Sequence, residues 1–286
     1  MTKIDQVVLL NWSIKSNFLM RIALCLHGLI GSKSSKYGGN DNINIDIPHK
    51  FLKKNLLNSN KNKFDVFLHT QSYKEKKKLL KLYKPKLYKI EKQKNFDFSK
   101  NHPHLKNLKY LKFKMYFEKL FGKNVSEKKI LYLTKKAFAS YSRWYSFEQS
   151  INLKRKYEKL KKFRYDLVFI TRYDMIIKKK FKPETFDKSK LTVSNHNTIP
   201  GPRNDYKTKA RKNNMTKKKG ISDLWFASSS KNMDKFANLY KRITYYPLSV
   251  HFSSYYHSQY VNLDLDFRYY RYFDFELLRR INKSKE

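Results

Sequence analysis

Short apolar runs alternate with more polar stretches over the first third of the chain. The runs at 21–28, 64–70 and 86–90 are predicted to be strands, and the residues at 47–57 and 74–83 are predicted to be helices. Strands that alternate with helices are typical of a sheet that is covered on both faces. The pattern therefore predicts an α/β fold with a mostly parallel, Rossmann-like sheet flanked by helices.

The middle of the chain is predicted to be helical. Apolar side chains recur at helical spacing over 105–121. A second pattern runs from Phe147 to Leu160 and ends in the basic pair at 161–162, and residues 142–146 are placed ahead of this second helix. The sequence thus predicts a helical middle segment between the first strands and the next one.

The second half of the chain is predicted to contain three more strands, at 165–170, 191–194 and 222–227, and a helix at 232–242. The strand that starts at Tyr165 ends in a polar triplet, Arg172-Tyr173-Asp174. Ligands of open α/β sheets bind outside the carboxyl ends of the strands. The triplet is therefore the first candidate for a functional site.

The expected organisation is one domain over 20–286, preceded by an N-terminal extension at 1–19. Residues 20–175 would form the ligand-binding half, and residues 176–286 a second half that completes the site. The stretch 204–220 holds seven Lys or Arg in seventeen residues and almost no apolar side chains. It is predicted to be a mobile basic loop that could cover an anionic substrate.

The formal net charge is +41, from 64 Lys and Arg against 23 Asp and Glu. Only twelve of the basic residues are Arg, so that 52 are Lys. Codons rich in A and T favour Lys, whereas base readout and bidentate phosphate contacts favour Arg. We interpret most of this charge as a codon-biased, solvated coat, although its field still attracts phosphates and anionic lipids at low salt.

Several classes of protein are excluded. The single cysteine, Cys25, permits no intrachain disulfide and no Cys-rich zinc site, and its position in a predicted strand indicates a small buried hydrophobe. No stretch approaches the roughly 18 apolar residues of a transmembrane helix. Glycine-rich phosphate loops and the Gly-x-Ser-x-Gly elbow are both missing from the sequence, which argues against P-loop NTPases, Rossmann dehydrogenases and α/β-hydrolases.

The triplet Arg172-Tyr173-Asp174 resembles the strand-end D-x-D motif of nucleotide-sugar glycosyltransferases with the GT-A fold, with arginine in place of the first aspartate. Other segments follow the order that they have in a group of bacterial and viral glycosyltransferases, namely 21–28, 64–70, 142–146 and 223–226. The resemblance covers residues 20 to about 275 and rests on this order. It implies a GT-A sheet with a C-terminal acceptor-side region, and sugar transfer from a nucleotide-sugar donor.

The resemblance also implies a divalent cation, Mn²⁺ or Mg²⁺, between a strand-end carboxylate and the donor diphosphate. Asp174 is the residue expected to bind that metal. Arg172 replaces a potential carboxylate ligand and adds a fixed positive charge. Either a later His or Asp completes the metal site, or cationic side chains partly replace the metal. A surface ion pair between these two residues is the structural alternative.

The donor is expected to lie across the carboxyl ends of the first strands. The residues implied in donor binding are His27, Gly28, Thr70, Arg143, Arg172 and Asp174. Gly28 would let the backbone approach the ligand, and Arg143 could reach a phosphate. The alternative for His27 is an ordinary residue at the end of a strand.

Asp223 is the expected general base for an acceptor hydroxyl, because it begins an apolar segment after the basic loop. A helix N-cap is the competing interpretation of this residue. His251 is a second candidate for catalysis, and His257 is a further one. Their spacing of six residues puts the two histidines on different faces of a helix. The aromatic tail at 267–276 could line an acceptor groove or pack in the core.

The predicted partners are a nucleotide-sugar donor and a glycan or lipid-linked acceptor in surface polysaccharide biosynthesis. The predicted location is the cytoplasm, with peripheral contact at an anionic inner membrane face. The alternative function is a non-enzymatic nucleic-acid-binding protein that uses its lysines and stacked aromatic side chains.

Overall fold

A computed structural model describes residues 19–30, 43–58, 61–96, 102, 105, 108–122, 124–195, 220–270 and 273–278. Most of the expected N-terminal extension and all of the predicted basic loop except Gly220 lie outside these ranges.

A seven-stranded sheet forms the centre of the protein, and two short strands pair beside it. In chain order the strands are β1 (Arg21–His27), β2 (Lys63–Thr70), β3 (Leu87–Ile90), β4 (Leu167–Arg172), β5 (Met175–Ile177), β6 (Leu191–Asn195), β7 (Trp225–Ser228), β8 (Leu265–Tyr270) and β9 (Phe275–Leu277). The large sheet has the order β3-β2-β1-β4-β7-β6-β8, and β5 pairs with β9.

Strands β3, β2, β1 and β4 are parallel to one another, whereas β7 is antiparallel to both β4 and β6. Because β6 and β8 pair in parallel, β7 is the one reversed strand of the large sheet among the residues that the structure describes. The prediction of a mostly parallel, Rossmann-like α/β sheet is confirmed.

Helices cover both faces of the sheet. They are α1 (Asp46–Leu52), which a π turn at Lys53–Leu57 extends, α2 (Lys76–Tyr83), α3 (Leu108–Leu120), α4 (Val125–Lys161), α5 (Ser230–Ala237) and α6 (Val250–Tyr260). Helices α1 and α2 pack on the face that holds Leu24, and α4 and α5 pack on the face that holds Cys25. None of the described helices is long and apolar enough to cross a membrane.

Cys25 matches its sequence interpretation. Its side chain is fully buried between the sheet and α4, and burial raises the pKa of the thiol far above its usual range. A thiol that stays protonated in this way is not a nucleophile.

Helix α4 differs from the prediction, which placed 142–146 ahead of a helix. These residues lie inside a single helix of 37 residues. The physical reason is burial, since every residue over 140–148 is buried and the helix has no solvent-facing side there. A helix that is covered on all sides lacks the amphipathic period from which helices are recognised.

Two smaller boundaries also differ. The helix predicted at 232–242 is α5 followed by a 3₁₀ segment, Tyr240–Tyr245, and the strand predicted at 222–227 begins only at Trp225. Ser229 is the N-cap of α5, and its side chain accepts a hydrogen bond from the backbone of Asn232. This cap determines where the helix begins.

A buried ion cluster joins α4 to α5. The ammonium of Lys154 lies 2.9 Å from Glu158 Oε2 and 2.7 Å from Asp234 Oδ1, and it donates to Ser230 Oγ at 2.6 Å. Ser230 in turn donates to Glu158 Oε1 at 2.6 Å. The Lys154 side chain is fully buried, so its charge is balanced by these partners and not by water.

We expect Lys154→Met to lower the free energy of unfolding by about 3 kcal/mol, because Glu158 would lose its cation in a buried environment. Asp234, in contrast, would keep its contact with Arg155. Urea unfolding followed by circular dichroism measures this change. Lys159→Met, at an exposed position of the same helix, is the matched control and should change stability little. Equal free energies of unfolding for the two variants would show that the ion cluster contributes little to stability.

Candidate functional site

Three polar side chains form a row at the carboxyl edge of the sheet. The strand register aligns His27 of β1 with His69 of β2 on one side and with Arg172 of β4 on the other. Residues in register in a parallel sheet point to the same face. The row continues the face that holds Cys25, so it meets α4.

Arg172 and Asp174 form a bidentate ion pair across the turn that ends β4. Arg172 Nε and Nη2 donate to the two carboxylate oxygens of Asp174 at 2.7 and 2.6 Å. Asp174 is 1% exposed and the Arg172 side chain is 17% exposed, so the pair is largely buried rather than a surface pair. Burial acts to lower the pKa of Arg172, but the charge of Asp174 outweighs it and the pKa is raised.

Arg143 extends a second guanidinium to the same place from α4. Its Nη2 lies 3.4 Å from Asp223 Oδ2, and both side chains are about nine-tenths buried. Nε and Nη2 of Arg143 have no hydrogen-bond partner among the described residues. Burial lowers the pKa of Arg143 to about 10, with Asp223 acting against this and Arg172 adding to it. This guanidinium is therefore poorly satisfied by its protein neighbours.

His27 lies between these charges. It is 1% exposed, its ring packs edge-on against Phe147, and its Nδ1 has no hydrogen-bond partner among the described residues. Burial and the positive charges of Arg143 and Arg172 hold the pKa of His27 well below its usual range. The ring is neutral at physiological pH, so it offers a hydrogen-bonding group and no charge.

A hydrogen-bonded chain supports the turn after β1. The backbone N–H of Gly28 donates to Ser146 Oγ at 2.8 Å, and Ser146 Oγ lies 2.7 Å from His69 Nδ1. His69 Nε2 lies 3.1 Å from Glu91 Oε1. Because a carboxylate only accepts, Nε2 carries the ring proton and Nδ1 accepts from Ser146. Burial lowers the pKa of His69 to about 4, which agrees with a neutral ring.

Glu91 anchors the far end of this chain. It accepts from Tyr145 OH at 2.7 Å and lies 3.2 Å from Lys89 Nζ. The Ser146–His69–Glu91 order is that of a serine nucleophile with its base and orienting acid. Ser146, however, is 2% exposed and its oxygen already accepts from the backbone of Gly28. We interpret the chain as the support of the Gly28 turn.

Gly28 itself has φ +108°, a conformation that favours glycine. A Cβ at this position would meet no described atom within 4 Å, so no described residue covers this part of the turn. Thr70 holds the other side of the turn, because its hydroxyl donates to the carbonyl of Gly28 at 2.7 Å. Thr70 thus contacts the predicted site residue Gly28, and its expected contact with a donor stays a prediction.

Asp223 and His251 meet on the far side of Arg143. Asp223 Oδ1 lies 3.6 Å from His251 Nδ1, which is also 2.9 Å from the carbonyl of Ile221. A carbonyl only accepts, so Nδ1 carries the proton and Nε2 is the basic nitrogen of the neutral ring. Asp223 precedes β7 in a non-helical segment and is not the N-cap of α5.

Two other residues from the sequence analysis lie elsewhere. His257 is buried against Tyr246, whose hydroxyl lies 2.9 Å from its Nδ1, and burial lowers its pKa to about 4. It is a core residue and not an alternative base. Tyr173, the middle residue of the triplet, donates to the carbonyl of His69 at 3.1 Å and thereby ties β4 to the end of β2.

The aromatic tail at 267–276 contains both core residues and exposed residues. Tyr269 stacks on Phe181 with a centroid distance of 4.0 Å, and β9 pairs with β5 next to the triplet. Phe267 is 43% exposed. Tyr269 and Phe275 therefore pack in the core, whereas Phe267 and Phe273 are exposed.

The residues at the site do not fit a divalent cation. Both oxygens of Asp174 already accept from Arg172, and Mg²⁺ and Mn²⁺ require several oxygen ligands. Among the described residues, no three His, Cys, Asp or Glu side chains lie together in a way that could hold a metal ion. The arginines instead provide the fixed positive charge at this edge.

No protein-family model matches the chain, and no curated protein matches it. The site must therefore be interpreted from its own chemistry. That chemistry is two buried guanidiniums, one of them incompletely partnered, beside an open glycine turn and an Asp–His pair.

Sequence reasoning missed Ser146, His69 and Glu91. The predicted strands could have pointed to His69, because it is the second-last residue of the second predicted strand, just as His27 is of the first. Nothing in the sequence points to Ser146 or Glu91, since their roles depend on where α4 crosses the sheet.

The buried neutral histidine predicts sensitivity to acid. The pKa of His69 is about 4 in the folded protein, whereas an unfolded chain titrates near 6.5. The unfolded state thus binds more protons between these values, and the free energy of unfolding rises with pH there. The stabilisation is fully present above about pH 6.5 and is lost as the pH falls towards 4.

Urea unfolding at several pH values from about 4.5 to 7.5 tests this expectation. His69→Gln removes one titrating group and should give a shallower dependence on pH than the wild type. An unchanged slope in this variant would show that His69 does not cause the acid sensitivity.

Proposed function

We propose that this protein is a nucleotide-sugar-dependent glycosyltransferase, in which Arg143 and Arg172 bind the diphosphate of the donor. The observation that carries the proposal is the incompletely satisfied guanidinium of Arg143, which is buried beside the bidentate Arg172–Asp174 pair at the carboxyl edge of the sheet. Buried N–H donors without partners are costly unless a ligand accepts from them. An anion with several oxygens is such a ligand.

The position of the site supports the same proposal. Nucleotides bind at the carboxyl ends of strands in open α/β sheets, and the sheet here is compatible with the GT-A fold that the motifs resemble. The open turn at Gly28 allows a ligand to approach the backbone, and the neutral ring of His27 is the neighbouring polar group. Two fixed cations would neutralise the charge that develops on a departing diphosphate.

The transfer step follows from the Asp223–His251 pair. The oxygen of an acceptor hydroxyl forms a bond to C1 of the donor sugar, and the bond between C1 and the diphosphate oxygen breaks. The electron pair of that bond leaves with the nucleoside diphosphate next to Arg143. The hydroxyl proton passes to His251 Nε2, and Asp223 stabilises the resulting imidazolium. His251 is one-third exposed and so accessible to an acceptor.

The donor test is a thermal-shift panel of UDP-, GDP-, CMP- and dTDP-sugars, each measured with Mn²⁺ and with EDTA. A ligand that binds the native state raises the melting temperature by mass action. We expect one nucleotide class to stabilise the protein in EDTA as well as in Mn²⁺. If no sugar nucleotide binds, but a nucleic acid does so at physiological salt, the nucleic-acid-binding alternative is favoured instead.

Arg143→Gln should weaken binding of that donor by about tenfold to a hundredfold, because a charge-assisted hydrogen bond to phosphate is lost. Isothermal titration calorimetry measures the change. Arg164→Gln, at an exposed arginine ahead of β4, is the matched control for the loss of one positive charge. Equal affinities of these two variants would remove Arg143 from the donor site.

Asp223→Asn and His251→Gln should lower the transfer rate by about a hundredfold or more, since general-base catalysis contributes that much. His251→Gln should leave donor affinity nearly unchanged, whereas Asp223→Asn should raise it, because the donor no longer competes with a carboxylate for Arg143. Single-turnover transfer and calorimetry on the same samples separate the two effects. A variant that transfers sugar at the wild-type rate would exclude its residue as part of the base.

A further inference from the structure

Helix α3 presents an aromatic surface that no described residue covers. Six large apolar side chains are exposed there, with Phe121 at 76% and Tyr116 at 67%, and we call them the aromatic face of α3: Tyr110, Phe113, Tyr116, Phe117, Leu120 and Phe121. The rings of Phe113 and Phe117 lie 4.8 Å apart. So many exposed aromatic side chains on one helix mark an interaction site.

The face follows from helical geometry. Leu111 is buried and Met115 is half-buried, and their spacing of four residues places them on the side that packs against α4. The exposed aromatic side chains occupy the opposite side, as the spacing of Tyr110, Phe113 and Phe117 shows. Helix α3 is therefore amphipathic with its larger apolar side outward, the reverse of an ordinary surface helix.

Lysines border the aromatic face. Lys112 and Lys119 are seven residues apart and lie along one border, and Lys114 lies along the other. All three are exposed. Residues 108–136 contain nine Lys and two Glu. Both carboxylates are engaged, since Glu118 accepts from Ser126 at the start of α4 and Glu127 pairs with Lys119.

We propose that the aromatic face of α3 docks the protein on a bilayer that contains anionic phospholipid. Phenylalanine and tyrosine rings enter the boundary between headgroups and acyl chains, while the bordering lysines contact the anionic headgroups. The charge argues against a second copy of the chain as the occupant, because two such faces would bring like charges together. The phenylalanines need no hydrogen-bond partner, which suits an acyl environment.

The membrane-docking proposal does not depend on the identity of the donor. Helix α4 nevertheless connects the aromatic face of α3 to the candidate site. Glu118 holds the start of α4 through Ser126 at 2.7 and 2.9 Å, and the same helix carries Arg143. These two positions of α4 are about 25 Å apart along its axis. The helix would thus hold the site at a fixed distance from the docked face.

Vesicle co-sedimentation tests the proposal with the full chain. Vesicles of phosphatidylcholine alone are compared with vesicles that contain roughly one-third phosphatidylglycerol, at physiological salt. We expect binding to the anionic vesicles only. The triple variant Phe113→Ser, Phe117→Ser, Phe121→Ser should bind about tenfold or more weakly, and Lys112→Gln, Lys114→Gln, Lys119→Gln should lose a similar factor.

Matched controls test whether binding depends on this face, or instead on the positive charge of the whole surface or on exposed aromatic rings elsewhere. The triple variant Lys74→Gln, Lys77→Gln, Lys81→Gln removes three positive charges near α2, and Tyr73→Ser with Tyr245→Ser removes exposed aromatic rings elsewhere. Both controls should bind vesicles nearly as the wild type does. An equal loss in the lysine control would assign binding to the whole lysine coat and overturn the proposal.

Two further outcomes would also overturn it. One is wild-type binding that is absent or is the same for neutral and anionic vesicles. The other is a wild-type dimer in light scattering that the triple phenylalanine variant converts to a monomer without any vesicle, which would make the face an interface between copies. Circular dichroism of each variant confirms that the exposed substitutions leave the fold intact.

Insertion depth gives an independent readout. Phe113→Trp should be quenched by vesicles that contain brominated acyl chains, whereas Tyr73→Trp, on another surface, should not. Equal quenching of the two variants above the background of the native tryptophans would contradict the orientation that the aromatic face requires.

Discussion

The burial of the middle of α4, where every residue over 140–148 is buried, is the constraint on which the rest of the structure depends. A helix without a solvent side must place every polar group that it carries against another polar group. Lys154 therefore has two carboxylates, and Ser146 is bonded to the backbone and to a histidine. Arg143 is one of the polar groups of this helix that lack a hydrogen-bond partner among the described residues, together with Ser140 Oγ and Glu148 Oε1, and it is the one at the carboxyl edge of the sheet.

The charges at the candidate site balance in pairs. Arg172 with Asp174 and Arg143 with Asp223 bring two cations and two anions to one edge of the sheet. The pKa of His27 is held low by burial first and by the two nearby guanidiniums second. The first pair is bidentate and close, and the second is looser, at 3.4 Å. The looser pair is the one that a competing anion can open at the lower cost, since less is lost when it separates.

The basic residues that give the formal charge of +41 lie in three different settings. Most of it is the lysine coat of the surface, which carries little structural information. Two of the twelve arginines lie in the candidate site, where burial makes each charge count for more than it would in water. A third group of charges borders the exposed aromatic face of α3, where lysine suits a flexible contact with headgroups better than arginine's fixed geometry does.

The alternation of strands and helices over the first third of the chain, the strand-end triplet and the buried cysteine were predicted from the sequence alone, because apolar periodicity and turn residues act over a few neighbouring positions. Strands β5, β8 and β9 and helix α6 were not predicted. The parallel register at the ends of β1, β2 and β4 pairs residues that lie far apart in sequence, so only the tertiary structure decided it. Only the tertiary structure decided the path of α4, since a helix buried on all sides has no period to recognise. The partners of Arg143, His69 and Asp223 lie far apart in sequence. The sequence alone does not predict them, because they depend on where α4 crosses the sheet.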